Sequence, residues 1–283
     1  MKESSGVLYL VATPIGNLED ITLRAIRVLS EVDIIACEDT RHSLKLLNHL
    51  EIKKPLISYH DNNRKLRASQ LIEKLREGNN IALISDAGTP LISDPGEELV
   101  ALAAENGIKV TAVPGCSASV TALILSGLST RRFAFEGFLP QKHAERVKYL
   151  ESIQYEEMTL IFYEGPHRLK DMLKDTLKVL GDRKCAVVRE LTKIHEEVVR
   201  GKISQVLSHF ERNNPRGEFV IVVEGSINKA PSAENEKLIE LTIEEHVEFY
   251  INKGQSRMQA MKLVAKDRGI SKREVYAILN TEK

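Results

Sequence analysis

Short apolar runs, rich in β-branched residues, alternate with stretches of helical periodicity through most of the chain. Strands are expected at 7–12, 33–37, 56–59, 81–85 and 109–113, with amphipathic helices at 23–29, 66–76 and 97–106 between them. These strand runs are apolar at consecutive positions, so both faces are buried. That predicts a mostly parallel sheet with helices on each side. Asp94-Pro95-Gly96-Glu97 reads as a helix start, with Asp94 as cap, proline at the first helical position and an acid in the first turn.

A second set of strands is expected at 133–136, 158–163, 184–189, 198–200 and 219–223, and helices at 144–154, 169–180 and 203–210. The polar segment 125–132, with Gly127, is the expected hinge between two α/β domains. After Gly225 the character changes. Residues 226–235 are polar, carry Pro231 and read as a linker. Residues 234–248 are acidic and 253–283 basic. Within the basic part a helix over 257–267 turns Met261, Val264 and Ala265 inward, and Gly269-Ile270 makes a turn. Ser271-Lys272-Arg273-Glu274 forms a capping box opening a last helix with Val275, Ile278 and Leu279 inward. Helix, glycine turn and capped helix outline a helix-turn-helix, although a plain helical hairpin packed on the body has the same pattern. The expected domains are 1–128, 129–226 and 236–283. No repeated unit points to a solenoid.

Composition narrows the classes. The chain has 283 residues, 42% hydrophobic and 28% charged, which suits a globular protein of more than one domain. Forty basic residues balance forty acidic ones. That excludes a uniformly basic nucleic-acid binder and leaves room for a local basic surface. Cys37, Cys116 and Cys185 are far apart and form neither a disulfide framework nor a zinc motif; no metal is expected. The first apolar run ends at Pro14, too short for a signal sequence, and nothing approaches a membrane span. The expected location is the cytoplasm.

Three loops draw attention. After the first strand comes Thr13-Pro14-Ile15-Gly16-Asn17-Leu18-Glu19-Asp20; after the fourth, Ser85-Asp86-Ala87-Gly88-Thr89-Pro90-Leu91-Ile92-Ser93; after the fifth, Pro114-Gly115-Cys116-Ser117-Ala118-Ser119. The first lacks the signatures of a P-loop or a dinucleotide fingerprint and taken alone is a tight turn with Asp20 as helix cap. All three should gather at the carboxyl edge of one sheet, where open α/β sheets bind ligands. Their small residues let the backbone approach a ligand closely.

These loops resemble the tetrapyrrole-methylase superfamily. The resemblance rests on Pro-Ile-Gly-Asn-Leu-Glu-Asp-Ile (14–21), Cys-Glu-Asp-Thr-Arg (37–41), Asp-Ala-Gly-Thr-Pro (86–90) and Val-Pro-Gly-Cys-Ser-Ala (113–118). Tyr-Glu-Gly-Pro-His-Arg (163–168), Arg-Glu-Leu-Thr-Lys-Ile-His-Glu-Glu (189–197) and Gly-Glu-Phe-Val-Ile-Val-Val-Glu-Gly (217–225) are similar to its ribosomal branch, the small-subunit RNA methyltransferases, which usually have Ser at the position of Gly165. The match spans 6–225, and the basic tail resembles the helix-turn-helix appendage of that branch. The resemblance implies two α/β domains with S-adenosyl-L-methionine in the cleft between them, and a homodimer. It implies methylation of the ribose 2′-hydroxyl of a cytidine in the decoding region of small-subunit (16S) rRNA, either naked or in the assembled subunit. The first loop departs from the Gly-x-Gly-x-Gly-Asp of the tetrapyrrole branch, which argues against a porphyrin-like substrate. Carried over by motif, Pro14, Gly88, Thr89, Leu91, Ser117 and Ala118 become the cofactor contacts, with Tyr163 and Phe219 from the second domain.

Transfer to a ribose hydroxyl calls for a base or electrostatic help. Asp39 and His60, in the polar clusters after the second and third strands, are the candidate bases. Arg41 is the first candidate for RNA phosphate, because a guanidinium pairs phosphate oxygens two at a time. Asn62, Asn63, His167 and Arg168 are further RNA candidates, the last two placed just inside a helix begun by Pro166. Each cluster also reads as plain helix capping by Asp39 or Thr40 and by Asn62 or Asn63. Two other functions stay open: a methylase of a small tetrapyrrole-like molecule, and an RNA-binding protein without catalysis.

Overall fold

The computed structural model describes residues 5–228, 238 and 241–280. Strands β1 (Val7–Val11), β2 (Ile34–Cys37), β3 (Leu56–Ser58), β4 (Ile81–Ile84) and β5 (Lys109–Val113) form one sheet in the order β3-β2-β4-β1-β5. Every pairing in it is parallel. β2 and β4 are buried at every position. Alternate residues of β2 face opposite cores: Ile34 and Ala36 meet Leu71, Leu75 and Leu99 on one side, while Ile35 and Cys37 meet Val28, Leu29 and Leu47 on the other. The covering helices are α1 (Leu23–Glu31), α2 (Thr40–His49), α3 (Arg64–Arg76) and α4 (Glu97–Glu105). Because β1 lies between β4 and β5, the loops after these three strands leave the same sheet edge side by side.

The second sheet is built from β6 (Phe133–Phe138), β7 (Thr159–Glu164), β8 (Lys184–Arg189), β9 (Glu197–Lys202) and β10 (Phe219–Val223), in the order β6-β7-β10-β8-β9. Here the parallel arrangement does not persist. β6 and β7 are parallel, whereas β10 runs against both neighbours and β8 against β9. The link from β8 to β9 spans only 190–196, too short for the crossover a parallel pair needs. Helices α6 (His143–Ser152), α7 (Leu169–Leu180) and α8 (Ile203–Arg212) cover one face through Leu150, Leu169, Leu173, Val206 and Phe210. The other face receives α5 (Ala118–Ser126), whose Ala122 and Leu123 pack on Ile161, Val188, Val220 and Val222.

Several boundaries differ from expectation. The segment read as a hinge begins inside α5, which ends at Gly127 in the left-handed conformation. α4 starts at Glu97 with Gly96 at its cap position and no side-chain cap, so Asp94 is not a helix cap. The first loop is capped by Asn17 on a short 3-10 turn and by Thr22 on α1, in place of Asp20. α7 begins at Leu169, so His167 and Arg168 precede it.

The described residues up to Ser226 form one compact unit and those from Ile227 another. In the second, α9 (Ile243–Asn252), α10 (Arg257–Asp267) and α11 (Lys272–Asn280) share a small core of Val247, Ala260, Met261, Val264, Ala265 and Val275. The Ser271–Glu274 box is formed, with backbone-to-side-chain bonds of 2.6 and 3.2 Å. Ile278 is 43% exposed instead of inward. α9 was not expected, although its own capping box, Thr242 to Glu245, is present in both directions. From 229 to 235 the expected linker lies outside the described residues. No described helix is long and apolar enough to cross a membrane.

Candidate active site

The three loops at the edge of the first sheet are stitched together by their own backbones. Thr13 N–H donates to Gly88 O at 2.9 Å, and Gly88 N–H returns to Thr13 O at 3.1 Å. The buried Thr13 and Ser85 hydroxyls donate to Ser85 O and Gly88 O, at 3.2 and 3.1 Å. Thr89 Oγ1 donates to Cys116 O at 2.9 Å, tying in the third loop. Gly88 has φ +84°, and a Cβ there would stand 3.1 Å from Ile15 and 3.5 Å from the Cys116 carbonyl. Leu91 and Ser93, at φ 73° and 64°, also hold the left-handed region. Non-glycine residues adopt it at a cost that surrounding structure must offset, and such strain gathers at functional sites.

Against these loops stands the second sheet. The Tyr163 hydroxyl accepts from Ser119 N–H at 3.2 Å, and its ring packs edge-on to Phe135 and Phe138, with centroids 4.8 and 5.7 Å away. Between the two walls lies a cleft of about 430 Å³. Gly88, Thr89, Ser117 and Ala118 line it from the first sheet, and Tyr163 and Phe219 from the second. Six of the eight residues expected at the cofactor are thus brought together. The other two are placed elsewhere. Pro14 lines an adjacent hollow, and Leu91, at φ 73°, packs against the core of the first sheet.

Apolar Ile15, Val188, Leu191 and Val220 line the cleft together with charged groups. Asp86, Asp94, Glu164, Lys193 and Glu218 all line it; Asp94 is expected only as a helix cap and the other four only as parts of the family motifs, none as a site residue. Burial, with the Glu38 and Asp86 carboxylates nearby, pushes the Asp94 carboxyl up to about 6. Burial and Asp86 also raise Glu38. Glu164 is raised by burial, although it accepts from Gly165 N–H at 2.8 Å and pairs with Arg168 at 3.2 Å. Burial would lower the Lys193 ammonium, but Glu218 and Glu190, each 3.0 Å from Nζ, outweigh that and hold it up. The Lys193 stem lies over Gly16, where a Cβ would stand 2.5 Å from its Cγ. A helix start through Pro95 accounts for an aspartate at 94, and only the tertiary fold shows that Gly96 holds the cap position of α4 instead.

The remaining expected residues divide by what already occupies them. The Asp39 carboxylate accepts from Arg41 N–H at 2.8 Å and caps α2. His60 Nε2 lies 3.1 Å from Asn63 Nδ2, which can only donate to it. Asn63 closes its own loop by accepting from His60 N–H at 2.9 Å and donating to Ser58 O at 3.2 Å, without capping α3. Arg168 donates to Leu139 O at 2.6 Å besides its pairing with Glu164, so its guanidinium is held inside the second layer. Arg41, Asn62 and His167 are exposed.

Comparison with known proteins agrees with this geometry. The family model of Tetrapyrrole (Corrin/Porphyrin) Methylases matches residues 7–207. The ribosomal RNA small subunit methyltransferase I of Halalkalibacterium halodurans is 50% identical over 99% of this chain and 97% of its own. That of Bacillus subtilis is 50% identical over 97% and 94%, and that of Synechocystis 48% over 96% and 97%. Among solved structures, diphthine synthase superimposes with a TM-score of 0.60 at 15% identity, covering 78% of this chain and 90% of its own. Uroporphyrin-III-C-methyltransferase from Thermus thermophilus gives 0.52 at 23%, covering 77% and 94%; at these identities the likeness is one of fold. With two sheets facing across a cleft that three small-residue loops help to line, and relatives at half identity along nearly its whole length, the chain belongs to the tetrapyrrole methylase family, in its ribosomal RNA small subunit methyltransferase I branch.

Proposed function

We propose that this protein is an S-adenosyl-L-methionine-dependent methyltransferase acting on the ribose 2′-hydroxyl of a cytidine in the decoding region of small-subunit (16S) rRNA. The reading takes the substrate from what the relatives are named for, and it rests structurally on the cleft. Its volume and the apolar part of its lining suit an adenosyl group. Among its lining carboxyls Glu164 pairs with Arg168 and Glu218 with Lys193, which leaves Asp86 and Asp94 to face a cofactor with net positive charge. Gly88, Thr89, Ser117 and Ala118 would hold it from one side, Tyr163 and Phe219 from the other. When bound, that cofactor supplies a methyl group on a sulfonium, open to in-line attack.

The chain's own part is to hold the acceptor in line and to take its proton. Asp39 and His60 were the candidates for the proton, but Asp39 is committed to a helix cap and the His60 Nε2 to Asn63. Asp94 lines the cleft and has a carboxyl near 6, ionised at neutral pH yet basic enough to accept a proton. Asp94 is therefore the proton acceptor in this reading. Arg41, Asn62 and His167 are the RNA-facing residues. Residues 1–128 and 129–226 act as the two lobes around the cleft, 236–283 is an RNA-binding tail, and the protein works as a cytoplasmic homodimer, observable by light scattering at micromolar concentration.

The test is transfer of labelled methyl groups to small ribosomal subunits and to naked rRNA from a strain lacking this protein, followed by nucleoside analysis. A 2′-O-methylcytidine formed only with the protein present is expected. Absence of any labelled nucleoside with both substrates would overturn the assignment.

A further inference from the structure

Beside the cofactor cleft lies a second hollow of about 280 Å³, sharing one wall with it. Asp86 lines both. The floor is apolar, with Pro14, Leu46 and Ile84, and one flank is basic, with His42 and Lys45 exposed on α2. The hollow also carries a polar group without a proper partner. Ser43 lines it at 2% exposure, and its hydroxyl finds no oxygen or nitrogen to bond, only the weak neighbour of the Cys37 thiol. A buried hydroxyl left in that state costs free energy that a ligand's polar group would recover.

The lining offers three kinds of group. Its apolar side chains suit a nucleobase, His42 and Lys45 on α2 suit a phosphate, and the Asp86 carboxylate, shared with the cofactor cleft, suits a sugar hydroxyl. The Asp86 carboxylate already accepts from Asp39 N–H at 3.3 Å, which leaves further lone pairs for a second donor. We propose that this hollow seats the acceptor ribonucleotide, with its phosphate toward His42 and Lys45 and its 2′-hydroxyl donating, while the nucleotide rests there, to Asp86 at the mouth of the cofactor cleft; the hydroxyl turns from Asp86 to the neighbouring Asp94 when its proton is taken. The inference rests on the rRNA methyltransferase reading and adds to it where the target nucleotide sits. It also gives a reason for Pro14 to face the hollow instead of the cofactor: the first loop forms the partition between the two.

The test uses the full chain saturated with S-adenosylhomocysteine, titrated with cytidine 5′-monophosphate as probe. The wild type is expected to bind it. Leu46→Trp, which fills the hollow from a half-buried position, and Lys45→Glu, on the exposed flank, are each expected to weaken that binding at least tenfold with S-adenosylhomocysteine affinity unchanged. The 2′-deoxy nucleotide should bind several-fold more weakly than the ribonucleotide, and the gap should close in Asp86→Ala. No binding by the wild type, equal binding by both variants, or loss of S-adenosylhomocysteine in parallel would overturn the site. Equal affinity for ribo- and deoxynucleotide would overturn the contact with Asp86. Failure of the enzymatic reading shows separately, as absent methyl transfer to subunits and rRNA while the mononucleotide still binds in the hollow.

Discussion

Ala118 and Gly88 both line the cleft, but they answer differently to enlargement. Ala118 opens α5 with ordinary helical geometry, so Ala118→Trp blocks the cleft with little backbone strain. It is expected to weaken S-adenosylmethionine binding by more than about tenfold in calorimetry, with the circular dichroism spectrum retained. Gly88→Trp should also abolish binding, but at φ +84° it adds backbone strain and a fall in melting temperature. Unchanged affinity in folded Ala118→Trp would remove the cofactor from this cleft. Asp94 makes a pH argument. In its proposed role as proton acceptor it works only when ionised, so the rate should rise as pH climbs through about 6 and level off above. Asp94→Asn should lose most of the rate and that limb with it. The same shift sets a stability effect of opposite sense. The folded carboxyl holds its proton more tightly than the unfolded one, so its stabilising contribution is present below the unfolded value near 3.8 and is lost as pH rises toward 6. Asp94→Asn is therefore expected to stabilise the protein at pH 8 by on the order of 1–2 kcal/mol, and not at pH 3.5. A variant no more stable than wild type at pH 8 would show that the carboxylate is not held against its preference.

At the scale of elements, most strands and helices could be read from periodicity because each buries its apolar residues in a regular pattern. β10 is buried at all five positions, and its apolar run said so; its direction did not follow, since a fully buried strand looks alike in a parallel and an antiparallel sheet. The close of β10 offers a test of packing. Gly225 lies against the chain entering β7, and a Cβ there would stand 2.1 Å from Glu157 O. Backbone cannot retreat as a flexible side chain does. Gly225→Ala is therefore expected to cost about 1–3 kcal/mol, seen as a melting temperature lower by roughly 2–10 °C. An unchanged melting temperature would mean that this edge is loosely packed. The helix starts show the limit of local signals. Thr22 and Thr242, which the hydrophobic pattern does not single out, cap α1 and α9. Asp20 and Asp94 read as caps in the sequence, but Asn17, Thr22 and Gly96 hold those positions.

At the scale of the molecule, balanced charge conceals a local excess. Lys253, Arg257, Lys262, Lys266, Lys272 and Arg273 are all exposed in the tail unit. Arg268 is not one of them: its guanidinium donates to His246 Nδ1 at 3.1 Å and to Leu238 O at 3.2 Å, holding the unit together. If the exposed six meet RNA phosphate, each contact releases counterions, and binding weakens with salt. The break between compact units falls after Ser226. A chain ended there is expected to keep its S-adenosylmethionine affinity, to bind small subunits more weakly, and to lose salt dependence by roughly 0.7 in log–log slope per lost phosphate contact. An unchanged slope with a lower melting temperature would make the tail a packing element.

The order of strands and helices, the three small-residue loops and the family they resemble all lay in local sequence. Hydrophobic period, turn residues and motif spacing are properties of neighbouring positions. Six of the eight expected cofactor residues, Gly88, Thr89, Ser117, Ala118, Tyr163 and Phe219, meet in one cleft for that reason: motif position determined sheet edge. What only the folded chain decided is the electrostatic site. Asp86 and Asp94 come from the loop after β4, Glu164 from the end of β7 and Lys193 from the link between β8 and β9, and local sequence assigns none of them a place in the site. Their burial and the distances among their charges exist only once the two sheets face each other. The same holds for Pro14, Ser43 and Lys45, which no motif connects and which line one hollow because α2 packs beside the first loop.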